Sequence, residues 1–252
     1  MQFFTNKQIV GDIHGQFTTM LHIFQVNGFP SRNHVYIFNG DYVDRGQSSL
    51  QALTMLILFK LHCPECIHFT RGNHETQHYL PGQVRTNVLA QYDEEIYDLL
   101  VEVINEIPVA VIVDHELLIM HAGIHSPNIT IDDIKAIPKG IDSTMNELLD
   151  ELLWAEPSSE EGTSVQEERG AAFGPDVSKA FLDHNNLNRM IRGHTDVENG
   201  YANDHDGRVV TIWSAPDYGS GSYANLDSDL DVYVTHFDAY PELVEIEDWS
   251  IL

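Results

Sequence analysis

Apolar residues in the first third of the chain fall into short runs separated by polar, glycine-bounded loops. Gln8-Ile9-Val10, Val35-Tyr36-Ile37-Phe38 and Ile67-His68-Phe69-Thr70 have the length and the β-branched or aromatic character of strands. The intervals between them carry helical spacing. Met20, Leu21, Ile23 and Phe24 share one face of a helix ending near Gly28 and Pro30, and Leu50 to Leu61 reads as a mostly buried helix. Strand, helix, strand, helix, strand is the βαβαβ pattern of an α/β sheet.

Further along, Ile96, Leu99, Leu100, Val103, Ile104 and Ile107 form a helical stripe within Tyr92 to Ile107, read as core. Val109 to Val113 and Leu117 to Met120 read as paired strands around Asp114-His115, and Ile131 to Trp154 as mostly helical. Glu156 to Glu168, rich in Ser, Glu and Gly, is expected to be a long mobile surface loop, too short to divide domains. Val177 to Asn185 predicts a helix and Met190-Ile191 a brief apolar stretch. Arg208 to Trp213 predicts a strand behind the Asp206-Gly207 hairpin signal, and Asp231 to Phe237 a strand that closes the sheet. No repeat of fixed period is present.

Composition narrows the picture. The 252 residues, 42% of them hydrophobic, can bury a sizeable core in one large domain or two small ones. No apolar run approaches the roughly 20 residues of a membrane span. Met1 to Val10 lacks the charged and apolar regions of a signal peptide, so a cytoplasmic setting is expected. A net charge of −26 repels nucleic acid and anionic lipid and favours basic partners. Cys63 and Cys66 lack the second pair of a structural zinc site, and are expected as reduced thiols in a helix-to-strand turn. Asp227, Asp229 and Asp231 lack the glycine and terminal Glu of a calcium loop and read as a solvated strand entrance.

The chemistry sits where strands end. The first strand runs into Gly11-Asp12-Ile13-His14-Gly15, the second into Asn39-Gly40-Asp41-Tyr42-Val43-Asp44-Arg45-Gly46, and the third into Arg71-Gly72-Asn73-His74-Glu75. Ligands of α/β sheets bind at that edge. Leu117 to Met120 ends at His121-Ala122-Gly123, and Met190-Ile191 leads into Arg192-Gly193-His194. Asp12, His14, Asp41, Asn73, His121 and His194 together offer only oxygen and nitrogen donors. That set suits two divalent ions sharing a carboxylate, with Mn expected and Fe, Zn or Mg as alternatives. Two ions about 3.5–4 Å apart can activate a shared water and clamp a phosphoryl group for in-line attack. Arg45 and Arg169 could neutralise phosphate oxygens. His74, next to Asn73, could protonate a departing alkoxide while Asp44 holds its ring. A lone histidine such as His62 or His184 is read as inert among the 14 present.

These three ordered motifs resemble those of the PPP family of protein serine/threonine phosphatases. Leu153-Trp154, Phe173-Gly174-Pro175-Asp176-Val177 and Ser214-Ala215-Pro216-Asp217-Tyr218 resemble it too, and within the family the pattern is nearest to the protein phosphatase 5 type of catalytic domain. The resemblance implies one metallophosphoesterase catalytic domain over 1–252, with an α+β fold whose central β-sandwich of mixed sheets is flanked by helices. It implies that Asp12, His14 and Asp41 bind one ion, and that Asp41 bridges to a second held by Asn73, His121 and His194. It implies that Asp44 and His74 are the acid pair, that Arg45, Arg169 and Asn73 contact phosphate, and that Tyr218 lines the substrate cleft.

Departures from the family pattern are confined. Only Met1 to Val10 precede the first motif, and His121-Ala122-Gly123 replaces the commoner His-Gly-Gly. Asp217 stands for Asn and Gly219 for Cys, and Thr76 to Val88 lacks the Tyr-Gly-Phe signature. The expected partners are phosphoproteins, basic ones favoured, with room for regulatory subunits or further domains. A dinucleoside-polyphosphate hydrolase is the alternative that shares the metal loops, and an inactive binding scaffold is the alternative outside enzymes.

Overall fold

The computed structural model describes residues 6–140, 143–166, 170–216 and 219–238. β1 (Asn6–Val10), α1 (Phe17–Asn27), β2 (His34–Phe38), α2 (Ser49–His62) and β3 (Ile67–Phe69) alternate as the apolar pattern predicts. β2 pairs in parallel with β1 on one side and β3 on the other. α1 stops at Gly28, whose φ of 91° favours glycine and whose N–H closes the last turn on Phe24. α3 (Arg85–Leu89) and α4 (Glu94–Glu106) follow, the latter capped where Asp93 accepts the Ile96 N–H. β4 (Ala110–Val113) and β5 (Leu117–Met120) form the expected antiparallel pair. α5 (Ile131–Lys135), α6 (Glu147–Trp154), β6 (Glu156–Pro157), β7 (Thr163–Gln166) and β8 (Gly170–Phe173) come next. The described chain finishes with α7 (Pro175–His184), β9 (Arg189–Arg192), β10 (Tyr201–Asp204), β11 (Val209–Ile212), β12 (Ser220–Leu226) and β13 (Val232–Asp238). No helix among the described residues is long and apolar enough to cross a membrane.

Two five-stranded sheets, ordered β13-β12-β1-β2-β3 and β10-β11-β9-β5-β4, form the sandwich. The period-2 alternation of side chains explains its layers. Ile9 and Ile37 of the first sheet meet Ile119, Ile191 and Val210 of the second in the central layer. Their neighbours Val10, Tyr36 and Phe38 turn outward to α1, α2 and α4. Leu118, Met120 and Met190 turn the other way, toward Leu152, Phe181 and Leu182 on α6 and α7. Helix, sheet, sheet, helix is the metallophosphoesterase arrangement expected above.

Five expectations need correction. Glu156 to Glu168 is not a loop throughout: β6, β7 and β8 make a three-stranded sheet, with Thr163 to Gln166 paired against Gly170 to Phe173 by backbone bonds that its polar side chains do not advertise. Ile131 to Trp154 is two helices, because Pro138 and Gly140 (φ 69°) interrupt the spacing. The stripe on α4 is partly solvated, with Leu99 50% exposed, and α2 is buried on one face only, with Leu61 74% exposed. Cys63 and Cys66 are joined as a disulfide, not reduced; the turn that caps α2 brings their Cα atoms to 5.3 Å. By contrast Asp227 behaves as the solvated entrance predicted, accepting the Asp229 and Asp231 N–H groups.

Candidate metal centre

β1, β2 and β3 deliver their loops at one end of the first sheet, and β5, β9 and β11, mutually parallel through β9, deliver theirs at the same end of the second. The two sets of loops meet. His14 Nε2 lies 3.8 Å from Asp12 Oδ2 and 3.5 Å from Asp41 Oδ2. The other Asp41 oxygen, Oδ1, lies 3.4 Å from His121 Nε2. His121 Nε2 is 2.8 Å from Asn73 Oδ1, and His194 Nδ1 is 3.1 Å from that oxygen and 3.3 Å from His121 Nε2. Asp41 thus belongs to two donor groups, one with His14 and His74 and one with His121 and His194. Asp12 joins them through the His194 N–H, which donates to its Oδ1 at 2.8 Å.

Backbone conformation makes this approach possible. His14, Asp41, Asp44, Arg45 and His194 all have positive φ, between 46° and 71°, a strained region typical of functional loops. Two glycines are required by contact rather than by φ: a Cβ on Gly72 would sit 2.2 Å from Asp41 Oδ1, and one on Gly193 would sit 2.3 Å from Asp12 Oδ1.

The donors fit cations. Apart from any cation, Asp12 Oδ2 and His14 Nε2 are buried with no hydrogen-bond partner among the described residues. The ring nitrogens facing the carbonyls of Val43 and Asn39 donate to them, at 3.2 and 2.9 Å, which leaves lone pairs on Nε2 of His14 and His121. The His121 lone pair faces the Asn73 side-chain amide oxygen at 2.8 Å, a contact that a cation held by both would satisfy. Burial holds His121 down at about 4, and burial with neighbouring imidazoles holds His14 and His194 well below the usual histidine range. Burial pushes Asp12 up to about 7, opposed by His121 and reinforced by Asp41, and burial raises Asp41 as well. Neutral imidazoles and carboxylates lacking compensation are the state that divalent cations stabilise.

At the mouth, His74 Nδ1 lies 2.8 Å from Asp44 Oδ2. That hydrogen bond holds Asp44 below the usual carboxylate range; for His74, burial pulls downward but Asp41 and Asp44 outweigh it and the pKa rises. Arg45, Tyr79, Trp154, Glu156 and Trp213 complete a cleft of about 440 Å³ over Asp41 and Asn73. Tyr79 stacks on His74 at 4.0 Å, and the Arg45 guanidinium lies 5.9 Å from the Trp213 ring. Arg169 and Tyr218, the other residues expected at the cleft, lie outside the described residues.

Sequence reasoning gave Glu75 no role, although the motif ended on it. It is buried beneath the Asp41 loop and accepts N–H groups from Asp41, Tyr42, Val43 and Gly72 at 2.7, 2.9, 3.2 and 3.0 Å. Burial and then Asp41 raise its pKa, yet both oxygens face only donors, so a proton on either would find no acceptor. Glu75→Gln is the sharp test, because an amide nitrogen must confront two backbone N–H groups. A loss of about 2–4 kcal/mol is expected from those stranded donors, read as a lower urea midpoint at unchanged slope. A midpoint within error of the parent would remove Glu75 from the scaffold of the site.

The comparisons with known proteins agree with this geometry. The family model for calcineurin-like phosphoesterases matches residues 9–198. Serine/threonine-protein phosphatase 5 of Homo sapiens is 40% identical over 247 residues, covering 92% of this chain and 48% of its own length. The chain therefore spans about half the length of that relative. The structure of a protein serine/threonine phosphatase from Saccharomyces cerevisiae superposes with a TM-score of 0.90 at 27% identity, over 94% of this chain and 81% of that one. A putative diadenosine tetraphosphatase shares the fold, at TM-score 0.58 and 16% identity over 92% of this chain and 93% of its own.

Proposed function

This chain belongs to the calcineurin-like phosphoesterase family, and from that premise we propose that it removes phosphate from phosphoserine and phosphothreonine in proteins. The observation that carries the reading is one carboxylate, Asp41, facing two donor groups with the His74–Asp44 pair beside it. The relatives named above as serine/threonine phosphatases support it over the dinucleoside-polyphosphate alternative, whose structural likeness extends to fold only. The catalytic unit is the whole span 1–252 on this reading, because β12 and β13, beyond residue 198 where the family match ends, complete the first sheet.

Asp12, His14 and Asp41 would hold one divalent ion, and Asp41, Asn73, His121 and His194 a second, Mn before Fe, Zn or Mg. Such ions supply positive charge for phosphoryl oxygens and lower the pKa of water. Everything else falls to side chains. Arg45, joined by Arg169, binds the phosphate oxygens and orients the phosphoryl group, and Asn73 and Tyr218 border it. His74 carries a proton on Nε2 to the departing serine or threonine oxygen. Asp44, ionised and bonded to Nδ1, fixes the ring and favours its charged form. Tyr79 covers the imidazole face and excludes water from it.

The reading predicts phosphate release that depends on added divalent metal and is lost on chelation. A purified chain assayed with Mn, Mg, Zn and Fe on a phosphoserine peptide, an aryl phosphate and a diadenosine polyphosphate separates the possibilities. Turnover of the phosphopeptide should dominate, and a basic peptide should exceed a matched acidic one at low salt because the chain carries a net charge of −26. Preferred cleavage of the diadenosine polyphosphate would overturn the substrate assignment.

A further inference from the structure

At the β4 edge of the second sheet, on its outer face, a cleft of about 360 Å³ opens between β4 and the stretch from α5 to Lys139. Ile107, Val109, Ile112, Ile131 and Ile137 give it apolar walls. One wall residue is unlike the rest. Arg71 is only 3% exposed, yet its Nε is buried without a hydrogen-bond partner. Its Nη2 donates to the Asn105 carbonyl at 2.7 Å, which is an uncharged partner. The acidic groups that act on it from a distance are engaged elsewhere: Glu75 accepts four backbone N–H groups, and Glu106 pairs with Lys139 at 2.7 Å. A buried guanidinium with no paired carboxylate among the described residues is costly, and the apolar space beside it leaves room for one to enter.

The rim repeats the charge. Lys135 and Lys139 border the same cleft, so three of the chain's 13 Lys and Arg residues surround one opening in a molecule of net charge −26. Both lysines pair with exposed carboxylates, Asp132 at 2.9 Å and Glu106 at 2.7 Å. Such surface pairs are weak and can be exchanged for a better partner. Repulsion from the acidic surface elsewhere is screened beyond about 8 Å at physiological ionic strength, so the local cations decide what approaches.

We propose that this cleft docks an acidic, apolar peptide segment, one carboxylate pairing with Arg71 and branched side chains packing on Ile112, Ile131 and Ile137. The guanidinium fork suits a carboxylate through Nε and a terminal nitrogen, and the isoleucines suit Leu, Ile or Val of the partner. Because Arg71 precedes the Gly72-Asn73-His74 loop, a docked partner lies close to the metal centre while leaving its cleft open. The walls of the two cavities share none of the described residues.

Fluorescence anisotropy with the metal-loaded chain tests this without reading turnover. The probe is a labelled peptide with two Glu among Leu, Ile and Val, compared with its Glu→Gln counterpart. The acidic peptide should bind saturably, and the Gln peptide about tenfold or more weakly. Ile112→Asp and Arg71→Gln should each abolish binding. The exposed double variant Lys135→Glu/Lys139→Glu, which need not disturb folding, should weaken it about tenfold with hydrolysis of an aryl phosphate unchanged. Equal affinity for the two peptides, undiminished binding by the double variant, or no saturation up to about 1 mM would each overturn the proposal.

Discussion

Asp41→Asn is expected to lower kcat about 10³-fold or more and to reduce bound metal below two equivalents. The outer partners of metal ligands are worth roughly 10–100-fold each, and a carboxylate facing both donor groups should exceed that. Its two oxygens are not equivalent. Oδ2 faces His14, and Oδ1 faces His121 while accepting the His74 N–H at 3.0 Å. An amide supplies one good donor atom where two are needed, and its nitrogen, with no lone pair to offer a cation, would replace the oxygen facing His14 or confront the His74 backbone N–H. Metal analysis of the purified variant, beside its rate on an aryl phosphate, is the measurement. Two equivalents retained at an undiminished rate would dismiss Asp41 from the centre.

His74→Asn should lower kcat by about 10²–10⁴-fold with both metals still bound, since His74 is assigned to proton transfer and not to coordination. The loss should shrink for an aryl phosphate, whose leaving group needs less protonation than a serine oxygen. Asp44→Asn examines the same proton from the other side. Against the pull of burial, the hydrogen bond to Asp44 raises the His74 pKa, so its protonated form persists to higher pH, and activity is expected to fall as pH rises through that pKa. Removing the Asp44 carboxylate takes away part of that rise and should move the alkaline limb to lower pH. A limb that does not move would show that the proton resides elsewhere.

Much of the architecture was legible because short β-branched or aromatic runs, such as Val35 to Phe38, can do little else between glycine-rich loops. β12 was not, since Ser220-Gly221-Ser222-Tyr223-Ala224-Asn225-Leu226 reads as polar and small, and only its pairing between β1 and β13 makes it a strand. β7 was hidden for a related reason: its stability lies in backbone bonds that leave no apolar period. The candidate ligands were visible because metal chemistry restricts which side chains can serve, and short loops keep them near strand ends. Glu75, Tyr79 and Trp213 were not assigned, because what they do depends on which segment lies above them. Glu75 is an acidic residue in a turn until the Asp41 loop is placed over it.

The two donor groups draw on both halves of the sandwich, with Asp12, His14, Asp41 and Asn73 rising from one sheet and His121 and His194 from the other. Cations gripped by such a set would act as a cross-brace at the open end of the two sheets, where His121 Nδ1 already donates to the Asn39 carbonyl and the Gly11 N–H to Ser214 Oγ. Shear between the layers, the soft motion of any sandwich, would then be quenched where the chemistry demands rigidity, and stay available at the opposite end.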